Sequence, residues 1–288
     1  MDVLRLTRRR SAARTLTGTL LATVAVPDAY LHGYATEEQA RLLSQAEHWR
    51  EELILAGTTL APGTRLLEVG CGVGAVLAVL AQAFPGIALA GVDIEERQIA
   101  RARAHLASLS VHADLREADA LDLPYSDASF DHVWMMWFLE HVSNPVAALR
   151  EARRVLVPGG ALTAIEVDYN TIWASPTSAA LEVLFSAMAR GMDSAGRSDA
   201  GTLLAGWLAE AEFWSIDPGQ RSLSYSGADL ARQVAYASAL SENMLPTLAA
   251  LPGVSASQLR AGHADLRALP ATTDASLGWV AYKATALR

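Results

Sequence analysis

The chain has 288 residues, 51% of them apolar and 19% charged, which is enough material for a sizeable core in one large domain. A net charge of -8, with no basic cluster in the folded part, argues against nucleic acid as the main partner, and no apolar run reaches the roughly eighteen residues of a membrane span. The single cysteine, Cys71, excludes a disulfide within the chain and fits a reducing compartment.

Residues 1–28 differ from the rest. Arg5, Arg8, Arg9, Arg10 and Arg14 precede a mildly apolar run that is broken by threonines and a glycine. An export or transit signal is one reading. A disordered extension ahead of a domain at 29–288 is the one adopted, because the threonines dilute the apolar stretch. Tyr30-Leu31-His32-Gly33-Tyr34 follows, an aromatic turn that either packs or lies over a site as part of a helical lid at 29–61. Thr36-Glu37-Glu38-Gln39 has capping-box form and opens a helix to about 56, with Leu42, Ala46, Trp49 and Leu53 as its apolar stripe.

Pro62-Gly63 breaks the chain before a first core strand at 64–69, and a second apolar run at 87–92 ends at Asp93. Helices are expected at 75–84 and 95–106, a third strand at 111–117 and a fourth at 130–136. Asn144-Pro145 has cap-then-first-position chemistry for a helix that Pro158-Gly159-Gly160 terminates, and a fifth strand follows at 161–167. Strands alternating with helices at this spacing indicate a doubly wound, mostly parallel α/β sheet. Beyond Asp168, helical spacing appears around Leu181, at 202–211 and from Leu230 to Met244, with late strands at 213–225 and 277–285. The region 169–288 thus reads as acceptor-side helices and closing strands on the sheet of a core at 62–168. Lys283 is the only lysine and reads as coding bias.

The stretch carrying most chemistry is Glu68-Val69-Gly70-Cys71-Gly72-Val73-Gly74. Glycines at every second position between a strand and a helix make a tight turn whose backbone can approach a ligand closely. Cys71 at the helix start has a nucleophilic reading and a plainer one, a small side chain between glycines; with no histidine nearby in sequence, the plainer one is adopted. Gly70-x-Gly72-x-x-Ala75 with Asp93 about twenty residues on also satisfies a relaxed dinucleotide fingerprint, so an NAD(P)-dependent oxidoreductase is a rival. Three features favour another ligand. Glu68 would crowd a pyrophosphate but suit a cationic amine, Asp119 after the third strand is placed for an adenine amino group, and no second mononucleotide-binding half follows.

With Asp119-Ala120, Phe130-Asp131, Leu139-Glu140-His141 and Pro158-Gly159-Gly160, these motifs together resemble a class I S-adenosylmethionine-dependent methyltransferase over about 62–168. More loosely, His32-Gly33-Tyr34 with Glu38-Gln39 resembles the lids of bacterial small-molecule methyltransferases, including relatives of the quinone-biosynthesis enzymes. The resemblance implies a Rossmann-like sheet of seven strands and S-adenosylmethionine as cofactor. It implies that Gly70 and Gly72 admit the methionine moiety, that Glu68 helps bind its ammonium, and that Asp93 accepts from both ribose hydroxyls. Ile94 would pack on the adenine, Asp119 and Ala120 would meet its edge, and Met136 would lie near the sulfonium. A cytoplasmic location follows from the cofactor.

A base is needed only if the acceptor must lose a proton, and His141, on the rim after the fourth strand, is the first candidate; its other reading is a bond that fixes the loop. Glu140 is expected to point elsewhere. His32, Tyr34 and Tyr169 are candidate acceptor contacts, with Asp168 and Asn170 beside them. Those two lack a third oxygen ligand, so no metal is expected. The motif of amino-methylating nucleic-acid enzymes, Asn/Asp-Pro-Pro-aromatic, is absent, and no cysteine lies away from the cofactor loop for cytosine-5 chemistry. A small, apolar or aromatic acceptor remains, consistent with Trp173, Phe185, Met188, Trp207, Tyr236 and Met244 in the later region. A non-methylating S-adenosylmethionine-binding protein on the same fold is the other alternative.

Overall fold

The structure, a computed structural model, describes residues 33–288. The expectations for residues 1–28 and for His32 therefore lie outside the described residues. Among the described residues, eight strands form one sheet, not the seven expected. β1 (Arg65–Val69), β2 (Ala88–Asp93), β3 (Ala113–Glu117), β4 (Phe130–Met136) and β5 (Leu156–Ser175) pair in parallel in the order β3-β2-β1-β4-β5. β8 (Ser276–Leu287) closes antiparallel on β5. The extra strand arises because 213–225, read as a single strand, is broken into β6 (Trp214–Asp217) and β7 (Gln220–Ser226) by a turn at Gly219. Both pair with β8, at opposite ends of it. A side chain at Gly219 would meet the Lys283 carbonyl at 1.9 Å, which explains the glycine there.

The sheet is buried on both faces, as the near-continuous apolar runs of β1 and β4 require. Alternation along each strand divides the core. Leu66 and Trp134 belong to a cluster with α1 (Thr36–His48), α2 (Ala75–Ala83), α3 (Glu96–Ser108) and α5 (Ala179–Ala195). Leu67 and Met135 face α4 (Pro145–Val155) and α6 (Ala200–Glu210) instead. Asn144 caps α4 with Pro145 at its first position, as its sequence predicts. α7 (Gly227–Leu248) and α8 (Ala256–Ala268) pack on α5 and extend the first cluster.

Three local expectations need correction. The capping box at Thr36 does not form: Ala35 is the N-cap without a side-chain bond, and Gln39 reaches α3, donating to Gln98 Oε1 at 3.0 Å. The helix expected to run to about 56 ends at His48 and gives way to a π-helical turn, Arg50–Leu55. Pro158-Gly159-Gly160 lies inside β5, since the strand starts at once after α4 and runs on to Ser175 past a register shift between Asp168 and Trp173. Among the described residues, no helix is long and apolar enough to cross a membrane.

Candidate active site

The glycine turn sits at the carboxyl end of β1, where open parallel sheets bind ligands. Gly70, Gly72 and Gly74 have φ of 74°, 49° and 71°, left-handed values that favour glycine. Their surroundings differ. A Cβ at Gly70 would fall 2.3 Å from the Phe138 ring, so this glycine admits a neighbouring side chain; at Gly72 the nearest atom, Leu42 Cδ1, is 3.8 Å away, leaving the cleft side open. Gly70 N and Cys71 N both donate to Val92 O at 2.9 Å, tying the turn to β2.

Two carboxyls border the turn. Asp93 Oδ2 accepts from Gly72 N at 2.9 Å and Oδ1 from Glu95 N at 3.0 Å, so Asp93 braces the loop that it faces. Burial raises its carboxyl above the ordinary value. Glu68 is 3% exposed, and its Oε2 has no hydrogen-bond partner among the described residues. Burial pushes it well up, as expected of an acid that lacks a counter-charge. Burial likewise drives the Cys71 thiol well up, followed by the charges of Glu68 and Asp93, and this keeps it protonated.

One cavity of about 770 Å³ joins these groups to the lid and the later helices. Ile94, 65% exposed, and Asp119, Ala120 and Met136 line it together with the glycine turn. The Asp119 carboxylate accepts from Leu121 N at 2.9 Å and so also serves as a turn former. Tyr34 lies close enough to Asp93 and Glu95 for their charges to raise its pKa after burial, and the Arg97 guanidinium stands 5.1 Å from its ring centroid. That places it at the carboxylate end of the cavity.

The other end is built by β4, β5, α1 and α7. Trp137 carries φ 49° just after β4, a strained value for a large side chain, and hands the chain to a 3-10 turn, Leu139–His141. Contrary to expectation, Glu140 lines the cavity beside His141; it is 2% exposed, with Oε1 3.4 Å from His141 Nε2. Burial, then the Arg41 guanidinium, pushes the His141 imidazole down to about 4, whereas burial pushes Glu140 up to about 8. Tyr169, 7% exposed, lines the same end, and its N–H donates to Ser198 O at 2.8 Å. Asp168 Oδ1 accepts from Asn170 N and Nδ2 at 2.9 and 3.0 Å, and among the described residues no three His, Cys, Asp or Glu side chains converge as a metal site.

Sequence reasoning missed Arg41 and Gln45, which line the cavity from α1; Arg41 holds the buried Glu38 at 2.6 Å and Gln45 Oε1 at 2.5 Å. Glu38, Arg41 and Gln45 at i, i+3 and i+7 mark a second, polar stripe that the apolar one concealed. Also missed was the loop between α5 and α6. Arg197 N donates to Glu140 O at 2.9 Å, and a Cβ at Gly196 would fall 2.0 Å from that same oxygen. Gly196→Ala is therefore expected to break this bond and cost about 2 kcal/mol of stability by forced displacement. Thermal unfolding checks it; an unchanged midpoint would mean that the loop yields freely.

Residues 67–164 match the methyltransferase-domain family. A 27-O-demethylrifamycin SV methyltransferase of Amycolatopsis mediterranei is 40% identical over 134 residues, 46% of this chain and 48% of that protein. A demethylmenaquinone methyltransferase of Symbiobacterium thermophilum is 35% identical over 145 residues, 49% of this chain and 57% of that one. The chain thus spans about half the length of the curated relatives it matches. Among solved structures, the (4+2)-cyclase SpnF superposes with a TM-score of 0.50 at 23% identity, covering 85% of this chain and 79% of that one, a likeness of fold.

Proposed function

We propose that this chain, whose central part is a class I S-adenosylmethionine-dependent methyltransferase domain, moves a methyl group from that cofactor to a small, apolar or aromatic molecule in the cytoplasm. The observation that carries the reading is the single cavity joining the carboxylates at the glycine turn to a chamber walled by Trp49, Tyr236, Trp279 and Phe185. Its volume is in the range that encloses a drug-sized ligand. The residues fit the cofactor: Glu68 Oε2 is a buried, orphaned acceptor for a cationic amine, Gly72 leaves open space, and Asp93 presents an ionisable pair of oxygens.

When bound, S-adenosylmethionine supplies a methyl group on a positively charged sulfur that leaves as a neutral thioether. The protein's part is alignment and exclusion of water. Glu68, Gly70 and Gly72 would hold the amino-acid moiety and Asp93 the ribose. Ile94, Asp119 and Ala120 would hold the adenine, with Met136 near the sulfur. Tyr34 would close over the ribose end, and Tyr169 and His141 would contact the acceptor. His141, kept neutral by burial, can hydrogen-bond an acceptor at physiological pH.

Calorimetry tests the reading. S-adenosylmethionine should bind with a micromolar or tighter constant, on the order of -8 kcal/mol. Nicotinamide cofactor binding in its place would overturn it in favour of a dehydrogenase. Cofactor binding without methylated product from any phenol, hydroquinone, alcohol or amine acceptor would favour a non-methylating protein on this fold.

A further inference from the structure

Glu140 is placed with more care than a loop residue needs. From β5, Glu166, which is 0% exposed, accepts through Oε1 from Phe138 N at 3.1 Å and Leu139 N at 2.7 Å. From the loop after α5, Arg197 N holds the Glu140 carbonyl, and Gly196 leaves no room for that carbonyl to move. The turn is thus held at two points, and the Glu140 side chain lines the cavity. Oε1 faces His141 Nε2, and Oε2 is buried with no hydrogen-bond partner among the described residues. A buried, orphaned carboxyl oxygen in the wall of a ligand cavity lacks the partner that such groups normally have.

We propose that Glu140, and not His141, takes the proton of the acceptor, and that the acceptor presents a phenolic or enolic hydroxyl to this end of the cavity. The inference rests on the methyltransferase reading above. In the step, the acceptor O–H bond breaks, its proton forms an O–H bond with Glu140 Oε2, and the electron pair left on oxygen makes the new bond to the methyl carbon as the carbon–sulfur pair returns to sulfur. A carboxylate and a cation become a neutral acid and a neutral thioether, which a water-poor cavity favours. Burial tunes the two neighbours oppositely: it strengthens Glu140 as a proton acceptor and weakens His141. An ammonium acceptor would instead set a second cation beside the sulfonium, with no lone pair to attack until deprotonated. The groups facing Glu140 are His141 on its own turn, Glu166 on β5, Arg41 on α1 and Tyr236 on α7, and Glu38 on α1 stands near His141 and Tyr236.

Two measurements on the full chain test this. Infrared difference spectra of wild type against E140Q should show a carboxylic-acid band that titrates near pH 8. Saturating S-adenosylmethionine should move that titration to lower pH by a factor of ten or more in proton affinity, because the sulfonium favours the carboxylate. S-adenosylhomocysteine, neutral at sulfur, should not. Equal effects of the two would overturn the proposal, whereas failure of both to bind would overturn the methyltransferase reading instead. In turnover with 1-naphthol, hydroquinones and matched aryl amines, E140Q should lose at least about a hundredfold in kcat. E140D should recover part of it, and H141N, whatever rate it loses through its acceptor contact, should keep the acidic limb of the wild-type pH profile that E140Q lacks. Methylation of the amines in preference to the hydroxyls, or E140Q within threefold of wild type, would sink it. Should E140Q fail to fold, E140D and the wild-type spectra carry the test.

Discussion

Replacing Asp93 by alanine is expected to weaken S-adenosylmethionine binding by at least about a hundredfold, or roughly 3 kcal/mol. The carboxylate has two separable roles. Its oxygens accept from Gly72 N and Glu95 N, which fixes the turn, and the same oxygens line the cavity where two vicinal hydroxyls would donate to them. Charge-assisted bonds of that kind are about twice as strong as neutral ones. Alanine removes both roles, so the variant should also unfold at lower temperature. Asp93→Asn keeps the shape and one acceptor oxygen and should lose about tenfold. Calorimetry with S-adenosylhomocysteine separates the two variants, and equal affinity in wild type and alanine variant would refute the assignment.

The same residue gives a pH dependence with a defined sign. A ligand that donates hydrogen bonds binds the ionised carboxyl in preference to the neutral one, so affinity must fall as Asp93 becomes protonated. Burial raises its pKa, and the decline therefore begins at higher pH than for an ordinary aspartate. The Asn variant, with nothing to titrate at this position, should lack that part of the decline.

That Glu68, the glycines and Asp93 come together at one end of the cavity was legible in the chain, because their placement is local in sequence. Glu68 and the glycines are contiguous, and Asp93 ends the next strand, so strand-end position alone brings them together. The other end draws on Arg41, Glu140, Glu166, Gly196 and Tyr236, from five segments of the chain. No spacing rule links such positions. Glu140 shows the difficulty in one residue: a carboxylate next to a candidate base is ordinarily solvated, and only the Glu166 anchor and the 196–197 clamp turn it inward. Capping signals misled in both directions. Thr36-x-x-Gln39 has the right letters, but Gln39 bonds α3, whereas Ser255 and Gln258 form a full capping box and open α8, a helix that apolar periodicity did not reveal. The late strands were located well, yet the break at Gly219 is dictated by contact with Lys283, a residue 64 positions away in the chain (283 minus 219).

Lys283 itself, which reads in the sequence as a compositional accident, is expected on replacement by methionine to cost about 3 kcal/mol of stability and about 8 °C in midpoint. Its side chain is nearly buried, and Nζ donates to Ile54 O at 2.9 Å, Ala56 O at 2.7 Å and Thr58 Oγ1 at 2.7 Å. Those acceptors end the π-helical turn Arg50–Leu55, whose last carbonyls have no partner further along the helix. Three donors meeting three acceptors at a helix C-terminus is what an ammonium offers and an apolar chain cannot replace. Methionine fills the volume but takes the ammonium from all three acceptors, leaving Ile54 O only the Thr58 hydroxyl at 2.6 Å and Ala56 O only a long bond from Arg221 Nη2 at 3.4 Å. Burial, then the Arg221 guanidinium, pushes the Lys283 ammonium down to about 7 from 10.5. The folded chain thus holds this proton less tightly than the unfolded one does, so wild-type stability gains from this group as pH rises from about 7 towards 10.5. Denaturant titrations at pH 7 and pH 9 should show the gap between wild type and K283M widening with pH. A gap that is absent at both values would mean that the π turn is capped without the lysine.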